Sequence, residues 1–196
     1  MVRIGVLAMQ GSIVEHLNML RSLDGVMAVT VKNRDELRDI DGMILPGGES
    51  TTIGKLLRDL DMFDLLQCRI RAGLPVWGTC AGMILLAKEI AGEKPHLSVM
   101  DIKVRRNAYG SQADSFREKA VIPGISTAPL DLVFIRAPWI ESVTGNARML
   151  GTLNGHIIAA RQDRMIATSF HPELTNDRTM HDYFISMVRS ECFNLI

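Results

Sequence analysis

Several kinds of residue and segment are scarce in this chain, and each shortage narrows what it does. There are three cysteines, Cys68, Cys80 and Cys192, an odd number at unrelated spacings. That argues against a disulfide framework and fits a reducing compartment. Net charge is missing, because 22 Lys and Arg are matched by 22 Asp and Glu. Neither nucleic acid nor an anionic membrane surface is therefore an expected partner. No apolar run reaches the roughly 20 residues needed to span a bilayer. Met1-Val2-Arg3-Ile4-Gly5-Val6 enters a strand-like run without the basic and apolar segments of a signal peptide, so a cytoplasmic location is expected. No Cys/His cluster has zinc-like spacing, and no metal or other cofactor is expected. Low-complexity tracts, internal repeats and Pro/Gly/Ser linkers are also missing. With 196 residues, 47% hydrophobic and 22% charged, the chain is expected to form one domain over 1–196 with a full core.

What is present reads first as alternation. Arg3–Met9, Val26–Lys32 and Gly42–Pro46 are short apolar runs, as buried parallel strands should be. Between them, Ser12-Ile13-Val14-Glu15 predicts a capping box that opens a helix with Ile13, Leu17 and Leu20 on one face. Asn33-Arg34-Asp35-Glu36 predicts another cap. A helix is expected through Leu57 and a further one over Asp61–Arg71. A strand then leads into Gly78-Thr79-Cys80-Ala81-Gly82 and its following helix. This pattern predicts an α/β fold, a doubly wound, mostly parallel sheet flanked by helices. After Ala91 the pattern changes. Segments 98–105, 118–122, 131–136, 148–153, 155–161 and 165–170 read as strands, with a turn at Asn154-Gly155. An antiparallel, β-rich extension is expected there, closed by a helix over Asn176–Ser190 with Met180, Tyr183, Phe184, Met187 and Val188 in one stripe.

The candidate chemistry centres on Cys80. Gly78-x-Cys80-x-Gly82 is the pattern of a nucleophile elbow, a strained strand-to-helix turn whose small neighbours let the backbone close around it. The start of the following helix favours a thiolate there. On this motif alone, a small buried cysteine in an ordinary turn is an equal reading. A thiol nucleophile needs a base and a group to orient that base. His171 follows a strand and is joined through Pro172 to Glu173, which is close enough to fix its tautomer. His16 and His181 fall on helices as solvated or packed residues, His96 in a loop, and His156 beyond a turn facing solvent. Cys68 and Cys192 read as structural. Pro46-Gly47-Gly48-Glu49-Ser50 follows another strand and offers free N–H groups for an oxyanion, with Ala81 as a second donor. No Gly-Lys-Ser/Thr follows, so it is not a phosphate loop. Arg105 or Arg106 would suit a carboxylate; charge alone does not choose between them.

Together, a cysteine elbow, a Gly-Gly loop and His-Pro-Glu, each after a strand, resemble the class I glutamine amidotransferases over nearly the whole chain. The strings Gly5-Val6-Leu7, Gln10-Gly11, Leu45 to Thr52, Arg106-Asn107-Ala108-Tyr109-Gly110, Phe134-Ile135-Arg136-Ala137-Pro138 and Ser169 to Thr175 are similar to the glutaminase subunits of pyridoxal 5′-phosphate synthase. Met9 and Ser111 stand where that family often has Leu and Arg. The resemblance implies that Cys80 is the nucleophile, His171 the base and Glu173 its orienter. It implies an oxyanion hole from Gly47, Gly48 and Ala81, and glutamine held by Gly48, Glu49, Ser50, Arg106, Ile135 and Arg136. It also implies a (β/α)8-barrel synthase partner that receives the ammonia. Three other readings are a glutaminase serving imidazole glycerol phosphate synthase, an idle regulatory subunit, and a cysteine hydrolase of related topology.

Overall fold

In the computed structural model, which describes residues 1–106 and 115–190, five strands pair in parallel to form the frame of the molecule. They are β1 (Val2–Leu7), β2 (Val26–Val31), β3 (Gly42–Leu45), β4 (Val76–Thr79) and, late in the chain, β12 (Met165–Thr168). Their order is β2-β1-β3-β4-β12. β1, β3, β4 and β12 each have a strand on either side and are almost wholly buried, which is why their sequences are apolar without alternation. β2 is the edge strand, and only its last residue, Val31, is buried. The side chains still point alternately. Ile4, Val6, Ile44 and Trp77 enter one core cluster, while Leu7, Met43, Leu45 and Val76 enter the other.

The helices divide between those two cores. α1 (Ile13–Arg21) and α6 (Thr179–Arg189) supply Leu17, Leu20, Phe184 and Val188 to the first. α3 (Ser50–Asp59), α4 (Phe63–Arg71) and α5 (Ala81–Leu86) supply Ile53, Leu57, Leu66 and Met83 to the second. A short α2 (Arg34–Arg38) is capped as expected, with the Asn33 side chain accepting from the N–H groups of Asp35 and Glu36. The doubly wound arrangement is therefore observed.

The extension is antiparallel in its contacts with the frame. β11 (His156–Gln162) pairs with β12, with β10 (Arg148–Leu153) and with β9 (Trp139–Val143), each in antiparallel sense. β6 (Met100–Arg105) continues the sheet against β9, and β5 (Ala87–Ile90) closes that edge in parallel with β6. β7 (Ser115–Ala120) and β8 (Leu130–Ile135) form a separate two-stranded sheet. Two strands were not legible. β5 begins where the helix after Cys80 was expected to continue, and β9 is a five-residue segment with one fully buried side, Ile140.

The structure corrects three local expectations and decides a fourth. The Ser12 side chain makes no capping hydrogen bond. Its hydroxyl instead reaches Glu173, 161 positions away. Of the two arms left open for His16 and His181, solvated or packed, the structure takes the second: both are fully buried. His156 is stacked on Trp139, with ring centroids 3.7 Å apart, rather than facing solvent alone. Cys68 is exposed on α4, so packing does not explain it. The Asn107–Gly110 string, Ser111 and Cys192 lie outside the described residues.

Candidate active site

Three loops leave the carboxyl ends of three adjacent strands, and the expected catalytic residues ride on them. β3 leads into Pro46-Gly47-Gly48, β4 into Cys80, and β12 into Ser169-Phe170-His171. The register pairs Leu45 with Gly78 and Thr79 with Thr168, so all three strands end at one rim. This is where an open α/β sheet leaves room for a ligand. A cavity of about 270 Å³ opens there, and its walls include Gly47, Gly48, Cys80, Ala81 and His171.

The elbow is built by close approach. Cys80 has φ 50° and ψ −105°, a conformation a non-glycine residue rarely adopts. A Cβ on Gly82 would overlap the carbonyl oxygen of Leu45, and one on Gly78 would overlap the Gly82 backbone. Only glycine lets β3, β4 and α5 meet this tightly. The Cys80 Sγ lies 3.9 Å from the Ile135 carbonyl oxygen. The helix that follows is only six residues long, shorter than the sequence pattern suggested.

His171 interacts with Cys80 on one side and, through Nδ1, donates to Glu173 Oε1 at 2.7 Å on the other. Burial works against a charged imidazole, but its bonds to Cys80 and Glu173 outweigh that and raise His171 to about 10. Glu173 is held at about 2. Burial opposes its charge, and His16, His171 and the Ser12 hydroxyl overcome that opposition. Ser12 Oγ donates to the same Oε1 at 2.5 Å. The three side chains expected to form a triad are thus assembled, with the imidazole between sulfur and carboxylate.

The Gly-Gly loop lies against the imidazole. A Cβ on Gly47 would overlap the His171 ring. The Gly47 carbonyl accepts from the Ser12 N–H at 3.3 Å, and a trans peptide then turns the Gly48 N–H to its opposite side. Glu49 N–H donates to Gln10 Oε1 at 3.0 Å, which ties the loop to β1's own exit. Sequence reasoning did not pick out Gln10, Ile84, Pro138 or Leu174, which also line the cavity. Gln10 was part of a string that carried the family resemblance, but was given no role in the site.

Of the two candidate arginines, Arg106 reaches the cavity. Its guanidinium lies 2.5 Å from Glu49 and 2.9 Å from Glu93. Arg105 turns outward to Glu141. Ser50 lines the cavity, and its buried hydroxyl has no hydrogen-bond partner among the described residues. Ile135 and Arg136 line it too; Arg136 is exposed and has φ 43°. Every residue expected in the site is at or beside this cavity. Among the described residues no group of His, Cys, Asp and Glu could hold a metal ion, and no helix is long and apolar enough to cross a membrane.

Buried histidines set a pH signature on stability. Burial lowers His16, and it lowers His181 to about 3. The unfolded chain takes up those protons below pH about 6.5 while the folded chain does not. Stability is therefore expected to fall as the pH drops below 6.5, by about 1 kcal/mol per pH unit for each histidine. His171 acts in the opposite direction. Its raised pKa contributes stability that is full below about 6.5 and is lost as the pH climbs toward 10. Urea unfolding across pH 5 to 9 is expected to show a maximum near pH 6.5, and a monotonic profile would contradict these assignments.

Comparison with known proteins agrees with this geometry. A protein of Clostridium kluyveri described as pyridoxal 5′-phosphate synthase subunit PdxT is 54% identical over 189 residues, which is 96% of this chain and 100% of that one. A Thermoanaerobacter protein of the same description is 50% identical and covers 95% of this chain and 99% of its own. A crystal structure of a glutamine amidotransferase superposes with a TM-score of 0.89 at 42% identity, covering 94% of this chain and 98% of that one. A glutamine amidotransferase from Thermotoga maritima, at 17% identity and a TM-score of 0.61 over 100% of this chain and 86% of its own, shares the fold. The model of the SNO glutamine amidotransferase family matches residues 6–190, and to that family this chain belongs.

Proposed function

We propose that the chain hydrolyses L-glutamine to L-glutamate and ammonia, and that it does so as the glutaminase subunit of a pyridoxal 5′-phosphate synthase. Family membership and relatives at about half identity support the reaction and the assembly. The observation that carries the mechanism is His171 bridging Cys80 and Glu173 at the wall of a cavity that also presents Arg106 and Glu49.

The chemistry follows from that arrangement. Cys80 Sγ, its proton passed to His171, attacks the side-chain amide carbon of glutamine and forms a C–S bond. The oxygen becomes an oxyanion, for which the backbone of Gly47, Gly48 and Ala81, all lining the cavity, would supply the N–H donors. The C–N bond breaks as His171 gives its proton to the leaving nitrogen, so ammonia departs and a glutamyl thioester remains. Water, deprotonated by His171, then releases glutamate and restores the thiol. Glu173 keeps the imidazole oriented throughout. Free glutamine also carries an α-carboxylate and an α-ammonium. Arg106 and Glu49, which pair with each other across the cavity, match those two charges. Ser50, Ile135 and Arg136 complete the binding wall.

Ammonia released into water at neutral pH is protonated and no longer nucleophilic. It is therefore passed directly to the partner, which we take to be a (β/α)8-barrel synthase, with both subunits in the cytoplasm. Glutamine hydrolysis by this chain is expected to be slow alone and to rise at least about ten-fold when the synthase subunit is added. Ammonia release measured with and without that subunit tests this; an equal rate in both, or no glutamine-dependent pyridoxal 5′-phosphate, overturns it.

A further inference from the structure

The triad accounts for one oxygen of Glu173, but the carboxylate has a second. Oε1 receives His171 Nδ1 and the Ser12 hydroxyl. Oε2 is buried and has no hydrogen-bond partner among the described residues; His16 Nε2 faces it at 3.4 Å, an ion-pair distance rather than a hydrogen bond. His16 sits on α1 and is fully buried. The same Nε2 lies 3.2 Å from Thr79 Oγ1, on the strand that delivers Cys80. Its Nδ1 lies 3.1 Å from Nε2 of His181, on α6. His181 is also fully buried, and its own Nδ1 has no hydrogen-bond partner among the described residues.

These contacts select one pattern of protons. A buried N–H without an acceptor costs more than a bare ring nitrogen without a donor. The unpartnered Nδ1 of His181 is therefore the bare one, and His181 carries its proton on Nε2. That proton is donated to His16 Nδ1, which fixes the His16 proton on Nε2, facing Glu173 and Thr79. Burial keeps both rings neutral, so His16 acts on Glu173 as an oriented dipole rather than as a full charge. The surroundings offer no other reason for two imidazoles. Trp77 packs edge-on against both, and Leu17, Leu20 and Phe184 belong to the same core cluster. Apolar side chains would fill such a space at least as stably.

We propose that His16, with its tautomer set by His181, is a positioning residue for catalysis: it clamps the free oxygen of Glu173 so that the other oxygen stays aligned with His171. This rests on the reading of Glu173 as the group that orients His171. Neither histidine lines the cavity, so the effect of the pair falls on the chemical steps and not on glutamine binding.

The test is glutamine hydrolysis by the full chain with its synthase subunit present, in His16→Leu, His16→Gln, His181→Leu and the His16→Leu/His181→Leu double variant, with Cys80→Ala in parallel. His16→Leu is expected to lower kcat by about 10- to 100-fold with KM within about two-fold. Gln, whose amide can place a donor where Nε2 stood, is expected to recover kcat to within about three-fold of the parent. His181→Leu is expected to lower kcat as well, because it frees His16 to adopt the wrong tautomer. The double variant is expected to be no slower than His16→Leu, since the two act as one chain. A parental kcat in His16→Leu, or a Gln variant no better than Leu, overturns the proposal. Should His16→Leu fail to fold, His181→Leu decides: a lower kcat at unchanged KM supports the clamp, and a parental kcat overturns it. Activity retained in Cys80→Ala would instead strike at the triad itself, whereas an inactive Cys80→Ala beside an unimpaired His16→Leu defeats only the clamp.

Discussion

Alanine in place of Cys80 is expected to lower glutamine hydrolysis by about 10⁴-fold or more, both alone and with the synthase subunit, while thermal unfolding stays within a few degrees of the parent. The size of the loss follows from what the sulfur does. Without it no thioester forms, and the N–H donors and His171 are left to act on water attacking an unactivated amide. The stability is spared because the strain at this position lies in the backbone, at φ 50°, and alanine occupies the same turn with a smaller side chain. Serine tests the same point more finely, since its hydroxyl fits the turn but is a much weaker nucleophile at neutral pH. Ammonia release and a melting curve on the same preparation separate lost chemistry from lost fold.

The second large effect is on the fold itself. Gly82→Ala is expected to cost at least about 3 kcal/mol, which lowers the melting temperature by about 6–12 °C in a chain of this size. The new Cβ would overlap the Leu45 carbonyl, a backbone atom that cannot swing aside. Relief requires α5 to move away from β3, and that motion carries Cys80 with it. Activity should therefore fall along with stability. Gly92→Ala is the matching control. Gly92 has φ 76° but nothing within 4 Å of its would-be Cβ. It bears only the strain of a left-handed backbone, about 1 kcal/mol. Melting curves of the two variants side by side check the contrast, and equal shifts would mean that the close approach at Gly82 is not what limits this position.

Much of this site was legible before any coordinates. The apolar runs of β1, β3, β4 and β12 mark strands buried on both faces, and the residues with chemistry come directly after three of them. Strand ends of a parallel sheet gather on one rim, so Gly47, Cys80 and His171 could be placed together from order alone. The choice between Arg105 and Arg106 was not legible from charge. It turns on the end of β6, where one side chain points to Glu141 and the next to Glu49. Ser12 was misread for a similar reason. A Ser followed three residues later by Glu satisfies the local rule for a cap, but the hydroxyl has a stronger acceptor in Glu173, and nothing local announces it.

The buried histidines carried a signal that went unused. His16 lies three residues after Ile13 and four before Leu20, inside the apolar stripe of α1 rather than beside it. His181 precedes Ile185 and Val188 by four and seven positions on the buried face of α6. A polar ring at a core position of a helix needs a buried partner, and two such rings on helices covering the same face of the sheet are each other's candidates. What the stripes could not give is the third member, because Glu173 sits in a single 3-10 turn, Pro172–Leu174, outside either helix and tied to β8 through the His171 N–H and the Val133 carbonyl.

The roles assigned to Cys80, His171 and Glu173 meet in one covalent event. Mass spectrometry of the intact chain after exposure to an electrophilic glutamine analogue, with the synthase subunit present, reads that event directly. A single adduct is expected, located on Cys80, lost in Cys80→Ala and suppressed by excess glutamine. No adduct, or one on the exposed Cys68 that glutamine does not suppress, would contradict a thiol nucleophile at this rim.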